Sequence, residues 1–266
     1  MTDQKPLLEF KLLHDAHPLR IEAAKGETSR LIVSFTSVGQ ERDKWPPKEF
    51  VGLASQGGRN HVVCVSDMSR CWMNSKDMLA LTVTKISDYV LDHGITEVMA
   101  IGTSMGAFNA LVLGRIMPLS RIICFTPQYS VHPDILPEEK RWLFFRKQIT
   151  EWPNKQMDTL PKAPVPIYMF HGDSPDERMH WEKFPTAQNL KHYIFSGADH
   201  NFVRNLKGAK MLHKIVRAAL NDRPGRMNKL VQRAGGMRRE AYVDYVAAQE
   251  LLAHRKTRKR PSEFDG

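Results

Sequence analysis

Six short apolar runs, each closed by a small or turn-forming residue, recur between Leu31 and Phe195. They are Leu31–Phe35, His61–Val65, Glu97–Ile101, Arg121–Phe125, Pro166–Phe170 and His192–Phe195. A strand wetted on one side alternates apolar with polar residues. These runs are nearly continuous, as strands covered on both faces of a parallel sheet must be. Between the second and third runs, Leu79, Val83, Ile86 and Val90 recur at helical spacing until His93-Gly94 ends the pattern. Ala107–Met117, closed by Pro118, and Met211–Leu220 repeat it. This alternation predicts an α/β fold: an open parallel sheet with helices on both faces. Leu7 to Ile21 reads as one or two leading antiparallel strands.

With 266 residues and 42% hydrophobic content, the chain has ample length for a full core, and the composition excludes disorder as the main state. No stretch approaches the roughly 18 apolar residues of a membrane-spanning helix. Met1–Pro6 lacks the apolar region of a secretory signal, so the expected compartment is the cytoplasm. Cys64, Cys71 and Cys124 are odd in number and at no ligand spacing, which argues against a disulfide framework and a zinc ribbon.

The formal charge of +10 is not spread evenly. Arg204 to the C-terminus holds 16 Lys and Arg against 6 Asp and Glu, which accounts for all of it. Residues 1–203 sum to zero charge, and a folded body (residues 1–220) is expected to precede a basic helical extension (221–266). In that extension Val231, Ala234, Met237, Tyr242, Tyr245, Val246, Leu251 and Leu252 lie at near-helical spacing. This stripe is expected to dock on the body or on a second copy of the chain, as a homo-oligomer. Arg255 to Arg260 carries five positive charges in six residues. It reads either as a solvated terminus or as a contact for a polyanion. No aromatic residue interleaves the run, which disfavours specific nucleic-acid recognition.

Gly102-Thr103-Ser104-Met105-Gly106 matches G-x-S-x-G between a buried strand and an apolar helix. That context suits a nucleophile on a tight strand-to-helix turn, with flanking glycines where a Cβ would collide and helix amides aimed at developing negative charge. A dinucleotide fingerprint is excluded by Ser104 at the third position, and a phosphate-cradling loop by the missing Lys. A serine hydroxyl needs a histidine base and a carboxylate to orient it. His200, one of 11 histidines, stands out by its place after the sixth run in Gly197-Ala198-Asp199-His200. The carboxylate is expected from Phe170-His171-Gly172-Asp173-Ser174-Pro175-Asp176-Glu177, with Asp176 preferred and Asp173 as the alternative. The amides of Met105 and Ser37 are the candidate oxyanion donors, with Val38 next after Ser37.

Residues 131–165 interrupt the alternation. They read as a lid over the site, or as a surface helix over Glu138–Ile149 packing its aromatics on the sheet edge. Trp142, Phe144, Phe145, Trp152 and Trp181 suit an acyl pocket, sugar stacking or plain packing, and Tyr129 is expected to approach the site.

On the three motifs around Ser104, Asp176 and His200, the chain resembles the α/β-hydrolase superfamily over roughly Leu31 to Leu220. The resemblance implies a mostly parallel sheet of about eight strands and a Ser-Asp-His triad, with no metal and no organic cofactor. It implies a serine hydrolase acting on an ester, a thioester or a related acyl bond in a small-molecule or acylated substrate. Many members carry His-Gly where this chain has Phe35-Thr36-Ser37, and the acid usually stands where this chain has Pro175. The stretch from Thr126 to Trp142 is similar to uncharacterised hydrolase-like proteins found with bacterial surface-polysaccharide genes. The rival expectation is a non-catalytic binding or scaffold protein on the same fold.

Overall fold

All six apolar runs fold as strands of one sheet: β3 (Arg30–Phe35), β4 (His61–Asp67), β5 (Glu97–Thr103), β6 (Arg121–Phe125), β7 (Ile167–Gly172) and β8 (Leu190–Phe195). The N-terminal region supplies an antiparallel hairpin, β1 (Lys11–Ala16) and β2 (Leu19–Ala24). The computed structural model describes residues 8–258, with side chains described as far as Ala253. The strand order is β1-β2-β4-β3-β5-β6-β7-β8-β9, in which β4 to β8 run parallel and β2 joins β4 antiparallel.

Successive strand residues point to opposite sides of the sheet. Leu31, Val33, Val63, Val65, Ile122, Cys124, Ile167 and Met169 enter one core, with the helices α2 (Lys76–Asp92) and α3 (Met105–Gly114). Ile32, Val62, Cys64, Ile123, Phe125, Tyr168 and Phe170 enter the other. That side is covered by α1 (Val51–Ser55), α6 (Phe202–Gly208), α7 (Leu212–Leu220) and α8 (Pro224–Arg233). Both faces are therefore dry, which is why the runs carry no polar alternation. At the start of α2 the Ser75 side chain accepts from the Met78 amide and Asp77 sits in the first turn, both favourable at a helix N-terminus.

Two expectations change. Residues 131–165 form no helix over Glu138–Ile149; only α4 (Leu143–Arg146) forms, because Trp142 before it has left-handed backbone (φ 63°) that an α-helix cannot pass through. The basic extension is not purely helical. Gly236–Arg238 forms a ninth strand, β9, antiparallel to β8, and leads into α9 (Arg239–Arg258). Tyr242 and Val246 of α9 pack with Trp181 and Ile194, while Tyr245, Leu251 and Leu252 stay exposed. The run Arg255–Arg260 lies outside the residues whose side chains are described. No helix among the described residues is long and apolar enough to cross a membrane.

Candidate active site

Ser104 stands between β5 and α3 with φ 54° and ψ −124°, a positive-φ backbone that is strained for any residue with a Cβ. The turn closes tightly enough that a Cβ on Gly102 would strike the Gly106 backbone, and one on Gly106 would strike the Phe35 carbonyl. The two glycines of the motif are thus required by close approach of β5, α3 and the end of β3.

The Ser104 hydroxyl lies 3.0 Å from His200 Nε2 and accepts from Gln128 Nε2 at 2.8 Å. Trp72 Nε1 donates to Gln128 Oε1 at 3.3 Å, and indole is donor-only, so the Gln128 amide must turn its NH₂ toward Ser104. With Gln128 donating, the Ser104 proton points at His200 Nε2. His200 Nδ1 then carries the imidazole proton and donates it to Glu177 Oε1 at 2.6 Å. Gln128 and Trp72 are both fully buried. The sequence alone singles out neither as a site residue, because a lone Gln after Pro127 and a lone Trp carry no motif.

The carboxylate that meets His200 is Glu177, not Asp176. Pro175 opens α5 (Pro175–Trp181), so side-chain directions from there follow a helix rather than an open turn. Asp176 then faces solvent, and Glu177, about 100° further round, is buried against His200. Asp173 is committed elsewhere: it accepts from Gly197 N at 2.8 Å, Ser196 Oγ at 3.1 Å and Tyr242 Oη at 2.9 Å. It clamps the β7 and β8 loops together. A Cβ on Gly172 would meet the Ala198 carbonyl, the close approach that sets α5 beside His200. Pro175 was the available signal, since proline at a first helical position marks residue 177 as two steps into a helix.

Burial pushes the Glu177 carboxyl up, but the hydrogen bond from His200 and the surrounding positive charge, Arg141 included, outweigh it and hold the group below its usual range. Behind it, His171 Nε2 donates to the Pro127 carbonyl and its Nδ1 accepts from His192 Nε2, both at 2.9 Å. Burial drives His171 down to about 4 and His192 well below normal, so both are neutral and pin the residue before Gln128.

Of the two expected oxyanion donors, Met105 N–H is without a partner among the described residues, while Ser37 is engaged. Its amide donates to Glu49 Oε2 at 3.2 Å and its hydroxyl to Glu49 Oε1 at 2.6 Å. A cavity of about 1030 Å³ opens beside Ser104 and His200, walled by Trp45, Trp142, Glu49, Arg204 and Lys207 among others. The wall after β3 is held by Arg70, itself fully buried, whose guanidinium donates to the carbonyls of Val38, Glu41, Arg42 and Lys44. Of the aromatic residues named above, Trp142 lines this cavity. Trp181 packs on Tyr242, Trp152 on His132 and Tyr129 on Phe184. No group of three or more metal-ligating side chains occurs among the described residues.

No family model and no curated protein matches the sequence. Solved structures do. The capsule O-acetyltransferase of Neisseria meningitidis serogroup A is similar at TM-score 0.55 and 14% identity, over 81% of this chain and 97% of that one. A chain of the Glycosylation Associate Protein (Gap123) complex from Streptococcus agalactiae is similar at TM-score 0.52 and 14% identity, over 83% of this chain and 48% of that one. The carboxylesterase CesB of Bacillus subtilis aligns at TM-score 0.48 and 14% identity, over 82% and 95% of the two chains. At such identities the two likenesses with TM-scores above 0.5 concern architecture alone, and the sheet order and the strand–Ser104–helix turn described above are those of the α/β-hydrolase fold.

Proposed function

We propose that this protein is a serine enzyme that breaks an ester, thioester or related acyl bond through Ser104, His200 and Glu177. The observation that carries the reading is the unbroken hydrogen-bond chain from Gln128 through Ser104 and His200 to Glu177, in which the donor-only Trp72 and Gln128 fix every proton's direction. Ser104 Oγ attacks the acyl carbon while its proton passes to His200 Nε2. Glu177 stabilises the imidazolium and keeps the Nδ1–H tautomer. The Met105 amide, at the N-terminus of α3, faces the oxyanion. His200 then protonates the leaving group, and a second nucleophile enters by the same base to release the acyl group.

That second nucleophile is water in a hydrolase and a hydroxyl in a transferase. Transfer to a carbohydrate hydroxyl is the second reading. It is supported by Trp45 and Trp142 on the wall of the cavity beside Ser104, where sugar rings stack, and by the O-acetyltransferase named above as a structural relative.

Fluorophosphonate labelling together with a panel of esters and thioesters tests the first reading, and adding mono- and oligosaccharide acceptors tests the second. Covalent labelling and turnover that vanish in Ser104→Ala are expected. A wild type that neither labels nor turns over any acyl substrate would leave the scaffold reading standing instead.

A further inference from the structure

The segment between β6 and β7 brings a fixed cation to the acid end of the Ser104–His200–Glu177 chain. Arg141 Nη1 lies 3.5 Å from Glu177 Oε1, the same oxygen that accepts from His200 Nδ1. Arg141 Nη2 donates to the Asp176 carbonyl at 3.2 Å, so the guanidinium grips the backbone just before Glu177 as well. Its other edge is held by Glu139, with Nε at 3.0 Å from both carboxylate oxygens and Nη2 at 2.6 Å from Oε2. Glu139 also takes the Arg141 amide at 2.7 Å and the His180 Nε2–H at 2.9 Å. The His180 tautomer is set by the Tyr129 amide, which donates to Nδ1 at 3.2 Å. Both carboxylates are 1% exposed, whereas Arg141 keeps 21% of its side chain in contact with solvent.

We propose that Arg141 is a positioning residue for Glu177, holding it ionised and aimed at His200 Nδ1. The proposal rests on the serine-enzyme reading above. A carboxyl buried this deeply is driven toward its neutral form. A neutral Glu177 would offer a proton instead of accepting one, and the Nδ1–H tautomer that leaves Nε2 free for Ser104 would lose its support. The groups facing Glu177 are His200 from the β8–α6 loop, His171 from β7, and Arg141. His171 is neutral by burial. His180, on the same helix, is likewise held below its usual range by burial. Arg146 spends a donor on the Glu139 carbonyl. Arg141 is therefore the permanent cation in reach of Glu177 among the described residues. Glu139, drawn down to about 2 against its own burial by the His180 and Arg141 contacts, keeps it there.

The sign of the effect follows. Removing a positive charge beside the Glu177–His200 pair makes every proton loss from that pair harder, so the acid limb of kcat/KM against pH moves up. The experiment measures kcat/KM against pH on a neutral acyl ester, with fluorophosphonate labelling rates and thermal melts, for wild type, Arg141→Ala, Arg141→Gln and Arg141→Lys. We expect Arg141→Ala to lose on the order of 10- to 100-fold at neutral pH, to shift the limb upward by about one pH unit or more, and to recover with added guanidinium ion. Arg141→Gln keeps a donor toward Glu139 without the charge and carries the same expected shift if Arg141→Ala does not fold. Arg141→Lys should keep the limb near its wild-type position yet recover only part of the rate, since an ammonium cannot hold Glu139 with two parallel bonds. A folded neutral variant with wild-type rate and an unmoved limb overturns the proposal. A wild type that shows neither turnover nor labelling overturns the serine-enzyme reading itself, so the two failures are distinguishable.

Discussion

The Glu49 carboxylate accepts both hydrogen-bond donors of Ser37, its amide at 3.2 Å and its hydroxyl at 2.6 Å. A carboxylate thus sits on the amide that its place after β3 made a candidate oxyanion donor. Glu49 is itself anchored, since Ser34 Oγ donates to its carbonyl at 2.6 Å. Burial pushes its carboxyl up to about 7, against the Ser37 bonds and the Arg204 charge, which pull it down.

A raised carboxyl titrates the folded state at higher pH than the unfolded one. Its contribution to stability is complete below the unfolded value near 4.5 and is lost as pH rises through about 7. Glu49→Gln removes this loss while its amide oxygen still accepts from Ser37. The melting temperature of Glu49→Gln relative to wild type should therefore climb between pH 4.5 and 7 and level off above. The whole change should amount to at most about 3 kcal/mol. A difference independent of pH would show that Glu49 titrates in the folded protein as it does in the unfolded chain.

Glu177 and Asp176 are neighbours in sequence with opposite environments, and their substitutions should separate accordingly. Glu177→Gln leaves the volume but presents the wrong group to His200 Nδ1, and should lower kcat by on the order of 10⁴-fold. Asp176→Asn alters an exposed side chain and should stay within about twofold of wild type. Steady-state kinetics on one small ester suffices. The reverse ranking would return the acid to Asp176.

These two residues show where the sequence was legible and where it was not. The strands were readable because burial on both faces leaves an uninterrupted apolar run. Ser104 and His200 were readable because each follows such a run at a turn. The acid was not, because a shift of one residue along a helix turns a side chain by about 100°, and which carboxylate faces inward depends on where the helix starts. Pro175 marks that start, but only once the loop is recognised as helical. Strand β9 escaped because three residues, Gly236–Arg238, are too few for a hydrophobic period. Gln128, Glu139 and Arg141 escaped because their roles exist only through partners far away in the chain.

Gln128 carries a second prediction about the nucleophile. It donates to Ser104 Oγ and is held in that orientation by Trp72. Gln128→Leu removes the donor and leaves the Trp72 indole N–H buried without an acceptor. The serine rotamer should loosen, with kcat/KM falling about tenfold, a loss near one hydrogen bond in size. Trp72→Phe removes the other end of the same bond and frees the Gln128 amide to flip, so the two effects should not add. A double-mutant cycle reads the coupling directly, and strict additivity would mean that Trp72 does not orient Gln128.

The C-terminal segment divides at a definable place. Tyr242 Oη donates to Asp173 Oδ2 at 2.9 Å, and its ring packs against Trp181. Burial, with Asp173 beside it, pushes the Tyr242 phenol up to about 12, so it remains a donor at neutral pH. Tyr242→Phe should lower stability by about 1–2 kcal/mol, a few degrees of melting temperature, without changing kcat. Cutting the chain after Leu252 keeps β9, Tyr242 and Val246 and should leave both melting temperature and small-ester turnover unchanged. Cutting after Leu220 is different in kind. It strips Met227, Leu230 and Val231 from the core and unpairs the edge of β8 from β9, so the product should be insoluble or aggregated. Expression of the two truncations with a melt and an ester assay decides the matter. A soluble, active chain ending at Leu220 would mean that β9 and α8 are an appendage and not part of the folded body.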